Sequence, residues 1–449
     1  MKNITGISPD AEKAIRLLKK KEYKAYLAGG CVRDLLLGKL PADWDITTSA
    51  LPEETKAVFE GEGFRTFDTG IKHGTVSVLF GREILEITTF RAESGYSDGR
   101  HPDEVTFICS AEEDVKRRDF TMNALLLDPD EGIIDYVGGQ ADIEAGIIRC
   151  VGDPNERFSE DALRIMRAVR FHSQLGFRMD PDTSEAVLSC RERLLAVSSE
   201  RLQTELDKML TGDFVYDALM NYKDVLAVFL PELKPMFGFP QNNPHHQYDV
   251  WEHTAIAVKN ILPERILRLT MLLHDSGKPH SVKKRPNGIW GFSGHPEVSA
   301  DLSREALKRL RYPNHTVDTL TMLILQHDVE LGTTIAEVRR QMNRLGKENY
   351  RRLLLIRRAD VMAQSEYMRE EKLALLDHQT ALYKEIASRN QPYRIRDLKV
   401  NGKDLLDAGI PEGPMVGQIL QELLELVMDE EIPNEKNTLI EKARSCLES

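Results

Sequence analysis

The sequence predicts an α+β protein: a small mixed β-sheet head, then an elongated all-α body. Three observations carry this. Short runs of β-branched and aromatic residues fall within the first 150 residues. From Asp153 the apolar positions recur at helical spacing. Prolines and glycines then break the helical pattern at a few places only. Taken in order, Ala11–Lys20 reads as a helix, Tyr23–Ala28 as a strand and Val32–Leu37 as a helix. Pro52–Glu60 is a further helix, with Pro52 suited to a first turn and Gly61 to a stop. Gly74–Phe80, Ile84–Phe90 and Val105–Cys109 read as strands. Helix dominates from Asp153 to about Pro235, where Pro231, Pro235, Gly238, Pro240 and Pro244 mark a boundary. Residues 245–370 are helical again and hold eight of the twelve histidines. More helices follow, interrupted at Gly409–Pro414 and ending in Asn434–Ser449. The expected divisions are 1–150, 151–235, 236–370 and 371–449.

Composition narrows the class. The chain has 449 residues, 41% hydrophobic and 29% charged, enough to bury several cores, which excludes disorder as its main state. No apolar run reaches the roughly 18 residues that span a bilayer, so no membrane association is expected. Met1–Asp10 lacks the apolar core of a signal peptide. The five cysteines are scattered and form no CxxC, which argues against a disulfide framework and for a reducing, cytoplasmic setting. With a net charge of −12, any nucleic-acid contact must come from a local basic stripe. Nothing in the letters fixes the oligomeric state.

The first candidate site begins at Leu27-Ala-Gly-Gly-Cys-Val-Arg-Asp-Leu-Leu-Leu-Gly38, a strand, a Gly-Gly and a helix. Glycines there let backbone N–H groups approach a phosphate, although a Gly-Gly alone also reads as a plain turn. Asp43-Trp44-Asp45 follows 13 residues after Gly30. On a strand, side chains at i and i+2 point the same way, about 7 Å apart. Two like charges on one face favour a cation between them, and Mg²⁺ held by carboxylates and substrate phosphates fits. Two metal ions would activate a hydroxyl and brace a pyrophosphate leaving group. An isolated DxD reads as a solvated turn; its distance from the Gly-Gly favours the functional reading. Glu86, in Ile84-Leu-Glu-Ile-Thr-Thr-Phe90, has apolar neighbours on both sides. It is expected to face inward or into a cleft, with a metal or an arginine as partner.

These elements, with Arg117-Arg-Asp-Phe-Thr-Met-Asn-Ala124 and Glu160-Asp-Ala-Leu-Arg164, resemble the motifs of class II tRNA nucleotidyltransferases, the CCA-adding enzymes. That family also contains bacterial poly(A) polymerases. The resemblance is strong over residues 20–212 and looser over Val400–Leu447. It implies that Asp43 and Asp45 hold catalytic Mg²⁺; Glu86, read from its neighbours alone, is the third catalytic candidate. It implies that Gly29, Gly30 and Arg33 contact the triphosphate, and that Arg118, Asp119 and Asn123 cradle ribose and phosphates. Arg167 and Arg170 match arginines that reach the nucleotide. Arg91–Val105 resembles the loop that helps switch from C to A addition, which argues against a CC-only enzyme. Substrates CTP and ATP, and tRNA as partner through its acceptor stem and elbow, follow from the same resemblance.

Asp161 and Arg164 carry a physical argument as well. At i and i+3 they are neighbours on one helix face. An aspartate accepts from the exocyclic amino group of cytosine or adenine, and an arginine donates to the adjacent ring nitrogen. Guanine and uracil present the reverse pattern and would leave polar groups unpaired, a basis for discrimination of about 10⁴-fold or more. The plain alternative is a surface salt bridge. In Ser199–Leu210 the apolar stripe Leu202, Leu206 and Met209 is most simply packing.

A second constellation is His253, His274-Asp275, His295, His327 and Asp360. Imidazole and carboxylate together suit Mn, Fe, Ni, Co or Zn. With Gly277-Lys278-Pro279 after the His-Asp, the pattern resembles the HD phosphohydrolase superfamily. The resemblance implies a first metal on His253, His274, Asp275 and Asp360, a second on His295 and His327, and a metal-activated water attacking a phosphoester. The alternative is a helical body that keeps these residues but serves to hold tRNA.

The leading expectation is therefore a template-independent enzyme that adds CCA to tRNA 3′ ends. An A-adding relative or a poly(A) polymerase is the near alternative. A metal-dependent phosphohydrolase acting on RNA 2′,3′-cyclic phosphate ends is the alternative of another class, and a catalytically dead tRNA-binding protein a third.

Overall fold

The computed structural model describes residues 6–94 and 104–446. It divides into two units at Pro231/Glu232, inside the Pro/Gly stretch the sequence marks.

The first unit opens with α1 (Pro9–Lys20), which buries Ala11, Ala14, Ile15 and Leu18 at helical spacing. Next come β1 (Ala25–Ala28), α2 (Gly30–Leu36), β2 (Asp45–Thr48), α3 (Pro52–Gly61), β3 (Arg65–Gly70), β4 (Thr75–Phe80) and β5 (Glu83–Thr89). A hairpin of β6 (Arg91–Ser94) and β7 (Glu104–Phe107) follows, then α4 (Ala111–Lys116), β8 (Leu125–Asp128), β9 (Gly132–Asp135) and α5 (Gly139–Ala145). Residues 95–103 of the expected switching loop lie outside the described residues.

Seven strands form one mixed sheet in the order β3-β4-β5-β2-β1-β8-β9. The pair β2–β5 is parallel and its other pairs are antiparallel. One row of direct partners, Val76, Ile87, Ile46, Leu27 and Leu127, crosses the sheet, and each is at most 2% exposed. Side chains alternate along a strand, so the adjacent row Ser77, Glu86 and Asp45 faces the opposite side. In this sheet β3, β8 and β9 escape the sequence reading, and outside it β6, which falls in the expected switching loop. Leu125-Leu-Leu-Asp128 is fully buried and built of leucines, which give no period-2 signal. β3 and β9 are the sheet edges and lack a clean apolar alternation.

Short β10 (Ile147–Ile148) and β11 (Arg178–Met179) pair in parallel. Around them are α6 (Pro154–Glu160), α7 (Leu163–Leu175), α8 (Pro181–Ser189), α9 (Ser199–Leu210), α10 (Val215–Asn221) and α11 (Lys223–Phe229). The chain leaving α9 runs against α7 at Gly212, where a Cβ would stand 2.4 Å from the Ser173 carbonyl oxygen. Only glycine permits that approach.

The second unit is helical: α12 (Val250–Asn260), α13 (Arg265–Leu273), α14 (His295–Arg309), α15 (Asn314–Gln326), α16 (Ile335–Leu345) and α17 (Lys347–Ala363). It continues with α18 (Arg369–Ser388), α19 (Gly402–Asp407), α20 (Pro414–Met428) and α21 (Lys436–Ser445). The all-helical expectation misses one element here, a hairpin of β12 (Lys283–Lys284) and β13 (Trp290–Gly291). Among the described residues no helix is long and apolar enough to cross a membrane.

Candidate active site and metal centre

In the head, β1 ends at Ala28 and Gly29 turns the chain into α2 with φ +76°. A Cβ on Gly29 would stand 3.1 Å from Arg118 Nη1 and 3.9 Å from Asp45 Oδ2. The missing side chain thus lets the turn pass beside both the cation and the carboxylate.

Asp45 opens β2, and its direct partner on β5 is Glu86. Asp43 lies before the strand, so the two aspartates do not share a strand as expected. Both are nevertheless exposed, with Trp44 buried between them. Glu86 is also exposed, which excludes the inward-facing half of the expectation and leaves the cleft. Its neighbours Leu85 and Ile87 are the buried ones, and alternation sends Glu86 the other way with Ile84. Crowding by protein raises the Asp45 pKa; Arg118 opposes this, and Glu86 and Asp43 add to it. The three carboxylates therefore act on one another, although they do not close to within 4.8 Å as a ligand group.

Asp114 on α4 is fully buried and was not singled out from the sequence. It accepts from Arg117 Nε at 2.9 Å and Arg118 Nη2 at 3.3 Å. Burial opposes its charge, but the two arginines hold its pKa below the usual range. Glu112-Glu-Asp114 hides which acid turns inward; the i+3 and i+4 spacing to Arg117 and Arg118 is the usable signal.

A polar chain links α2, the turn Thr121–Asn123 and α7. Arg33 Nη1 donates to Asn123 Oδ1 at 2.7 Å, and Asn123 Nδ2 donates to Asp119 Oδ1 at 3.3 Å. Arg167 Nε donates to Asp119 Oδ2 at 2.8 Å. Burial opposes the Asp119 charge, but Arg167 and the Phe120 N–H outweigh it and lower its pKa to about 2. Three guanidiniums surround the Phe171 ring, Arg170 at 4.1 Å, Arg33 at 5.1 Å and Arg167 at 5.5 Å. Arg170 also pairs with buried Glu205 at 3.0 Å, and burial lowers its pKa to about 10.

Asp161 and Arg164 are not on one helix face. Asp161 sits in the break between α6 and α7 with extended backbone, and Arg164 lies in the first turn of α7. The Arg164 N–H donates to the Asp161 carbonyl at 3.0 Å, and each side chain takes other partners. Asp161 accepts from Arg201 Nη2 at 2.6 Å and caps the Leu163 N–H at 3.0 Å. Arg164 bonds Glu160 and donates to the carbonyls of Arg157 at 3.0 Å and Arg117 at 3.1 Å. The simple surface salt bridge is thereby replaced by two separately braced groups.

In the second unit, His253 on α12, His274-Asp275 after α13 and Asp360 on α17 converge. Asp275, His295 and His327 form a second group, so Asp275 belongs to both. Gly277 makes this possible: a Cβ there would stand 2.5 Å from the His295 carbonyl oxygen, so the turn presses against α14. Each imidazole makes its Nδ1 contact with a backbone carbonyl: His253 with Ala363 at 3.2 Å, His274 with Met271 at 2.7 Å, His295 with Phe292 at 2.8 Å, His327 with Ile324 at 2.6 Å. This leaves four Nε2 atoms turned towards the carboxylates, the arrangement of metal-binding histidines. His253 Nε2, His274 Nε2 and Asp275 Oδ1 are buried without a hydrogen-bond partner. Such orphaned donors fit one or two cations. Without a cation, burial opposes charge on His274, but Asp275 and Asp360 outweigh it and raise its pKa to about 10. Burial instead pushes His327 down to about 3.

Supporting groups complete the centre. Lys278 Nζ lies 2.6 Å from Asp275 Oδ2, and Gln364 Nε2 donates to Asp360 Oδ2 at 2.9 Å. A cavity of about 410 Å³ opens onto the group, with His246 in its wall.

Three family models match parts of the chain. The family described as "Poly A polymerase head domain" matches residues 25–149. "Probable RNA and SrmB- binding site of polymerase A" matches 176–237, and "tRNA nucleotidyltransferase domain 2 putative" matches 297–443. A CCA-adding enzyme of Lactiplantibacillus plantarum is 35% identical over 98% of this chain and 96% of its own length. One from Geobacillus thermodenitrificans is 36% identical over 96% of each. The crystal structure of a Bacillus stearothermophilus CCA-adding enzyme in complex with CTP superimposes over 98% of both chains, at 32% identity and a TM-score of 0.72. A Thermotoga maritima CCA-adding enzyme complexed with tRNA, at 19% identity and a TM-score of 0.58, shares the fold.

Proposed function

The chain belongs to the CCA-adding enzymes, tRNA nucleotidyltransferases of class II bacterial type, and from this we propose how its residues divide the work. It adds CCA to tRNA 3′ ends, using CTP and ATP and releasing pyrophosphate as the 3′-hydroxyl attacks the nucleotide α-phosphate. The observation that carries the site is the meeting of Gly29, Arg118 and Asp45 in front of the Asp45–Glu86 pair.

Asp43, Asp45 and Glu86 offer hard oxygen donors on one open face, a set suited to Mg²⁺. Bound there, Mg²⁺ would lower the pKa of the attacking hydroxyl and neutralise the leaving pyrophosphate. The Gly29-Gly30 turn and Arg33 receive the triphosphate. Arg118, Asp119 and Asn123 hold ribose and phosphates. Asp161 and Arg164 read the base edge, and Arg167 and Arg170 support the nucleotide beside Phe171. Residues 1–150 form the catalytic head, 151–235 the base-reading neck, and 236–370 the metal-binding body. Residues 371–449 meet the tRNA elbow, while the head receives the acceptor stem. The setting is the cytoplasm.

Three tRNA transcripts test the reading: one ending at the discriminator base, one in CC, one in CCA, each with Mg²⁺ and CTP, ATP or both. Extension of the first by CCA and then arrest is expected. Extension of only the CC-ended transcript, by one A, would assign A addition instead, and unlimited A addition a poly(A) polymerase.

The two orphaned imidazole nitrogens beside Asp275, His253 Nε2 and His274 Nε2, favour a second reading, a metal-dependent phosphohydrolase for RNA 2′,3′-cyclic phosphate ends. His253, His274, Asp275 and Asp360 would hold one transition metal, Asp275, His295 and His327 another. Such a metal would supply a water activated at neutral pH. Parallel variants Asp43→Asn/Asp45→Asn and His274→Ala/Asp275→Ala separate the sites. Each pair is expected to abolish one activity; loss of a single shared activity in both would defeat the second reading.

A further inference from the structure

The hairpin β12–β13 stands out in this acidic chain. Lys283, Lys284 and Arg285 are consecutive cations, all exposed, and they form no ion pair among the described residues. Lys284 and Trp290 are direct cross-strand partners, so they share a face, and Lys284 Nζ lies 4.6 Å from the indole centroid. That cation–π contact holds the ammonium in place without neutralising it. Pro286, Asn287 and Gly288 (φ +81°) turn the chain, with the Gly288 N–H donating to the Arg285 carbonyl at 3.0 Å.

The hairpin is fixed to the metal cavity from two sides. Trp290 donates its N–H to the Asn242 carbonyl at 3.0 Å and accepts at its own carbonyl from Asn243 Nδ2 at 3.0 Å. Asn243 leads to His246 in the cavity wall. From Gly291 the chain runs directly into Phe292, Ser293 and Gly294, which form the cavity lip, and then into His295.

Inside the cavity, Lys278 is committed to Asp275 and to Gln241 Oε1, at 2.6 Å and 2.9 Å. Three uncommitted cations outside the mouth serve a ligand that extends beyond the cavity and carries negative charge along its length. The phosphodiester backbone of a nucleic acid has that form. We propose that the β12–β13 hairpin is a phosphate-binding lip that seats a single-stranded RNA end at the mouth of the Asp275 cavity. The proposal rests on the second reading above, because the lip has a purpose only if the cavity does chemistry on the end it receives.

The test uses the full chain loaded with Mn²⁺ and a fluorescein-labelled single-stranded octaribonucleotide, followed by anisotropy. The exposed triple variant K283A/K284A/R285A is expected to bind about tenfold or more weakly at low salt. Single-stranded contacts release about 0.7 counterion each, so its log affinity should fall with log salt by a slope about 2 shallower than wild type. CTP incorporation into tRNA should stay within about twofold of wild type under the same salt conditions. Unchanged octamer affinity and slope would overturn the lip, as would a parallel fall in CTP incorporation, which would make the hairpin part of the tRNA-holding surface. Calorimetric titration with Mn²⁺ runs beside it: no uptake by wild type would defeat the metal reading itself, whatever the octamer does.

Discussion

Asp45 and Glu86 face each other directly across the parallel pair β2–β5, on the side of the sheet opposite the Ile46–Ile87 core pair. The pairing sets a carboxylate beside a carboxylate, and Glu86 helps raise the Asp45 pKa. Removing the Glu86 charge relieves that repulsion but also removes a proposed cation donor. Glu86→Gln should leave the protein folded and lower CTP incorporation by about 10–100-fold, whereas Asp45→Asn should lower it about 10³-fold or more. Near-normal activity of Glu86→Gln would remove Glu86 from the site.

Gly29→Ala tests the turn. Its φ of +76° strains an L-residue, and the new Cβ would stand 3.1 Å from Arg118 Nη1. The strain should cost about 1–2 kcal/mol in unfolding experiments. Displacement of Arg118 should raise the KM for CTP more than it lowers kcat, and an unchanged KM would separate Arg118 from the nucleotide.

Asp119 should mark the acid limb of stability. Its folded pKa, about 2, lies below the carboxylate value of 3.8. The difference stabilises the fold fully above about pH 4 and is lost as pH falls through about 2. Comparing wild type with Asp119→Asn from pH 6 to pH 2, the gap in unfolding free energy should shrink by on the order of 2 kcal/mol. A gap that does not change with pH would contradict the Arg167 pairing.

Helix α9 presents Arg201 to Asp161 at 2.6 Å and Glu205 to Arg170 at 3.0 Å. On the proposed division of work, Arg201 would position the aspartate that reads the base. Arg201→Ala should lower kcat/KM for CTP while leaving that for UTP nearly unchanged, shrinking their ratio by about 10-fold or more; Arg201→Lys should recover part of it. A uniform fall for both nucleotides would leave Arg201 with a structural role only.

Metal binding should stabilise the second unit. Mn²⁺ at about 100 times its Kd adds about 2.7 kcal/mol to a protein that binds it only when folded. Tm should rise with Mn²⁺ in wild type and fall back with chelator, and His274→Ala/Asp275→Ala should show no rise. An equal rise in both proteins would place the ion elsewhere.

Much of this was legible in the sequence because its signals are local. Gly29-Gly30, Asp43-Trp-Asp45 and His274-Asp275 declare themselves by adjacency, and Ala11–Lys20 by period. What escaped depends on contacts distant in the chain. Asp114 reads as one of three surface acids until the Arg91 N–H, 23 residues back, is seen to bond it beside its near neighbours Arg117 and Arg118. Asp161 looks helical until the chain breaks between α6 and α7 to hand its carboxylate to Arg201, 40 residues on. Asp275 reads as one ligand, and only the closure of α14 over Gly277 makes it common to both groups. Apolar company left two positions open for Glu86, inward or in a cleft; on a strand, a residue between two buried neighbours points away from them, which excludes the first.

The alternation of β2 and β5 limits how this head can evolve. A single-residue insertion or deletion within either strand would turn Ile46 or Ile87 outward and carry Asp45 or Glu86 into the interior. Solubility and catalysis would fail in the same event, so drift cannot trade one against the other. Lineages can lengthen the connections around these strands, but the strands themselves tolerate change only by substitution, or by length changes of two.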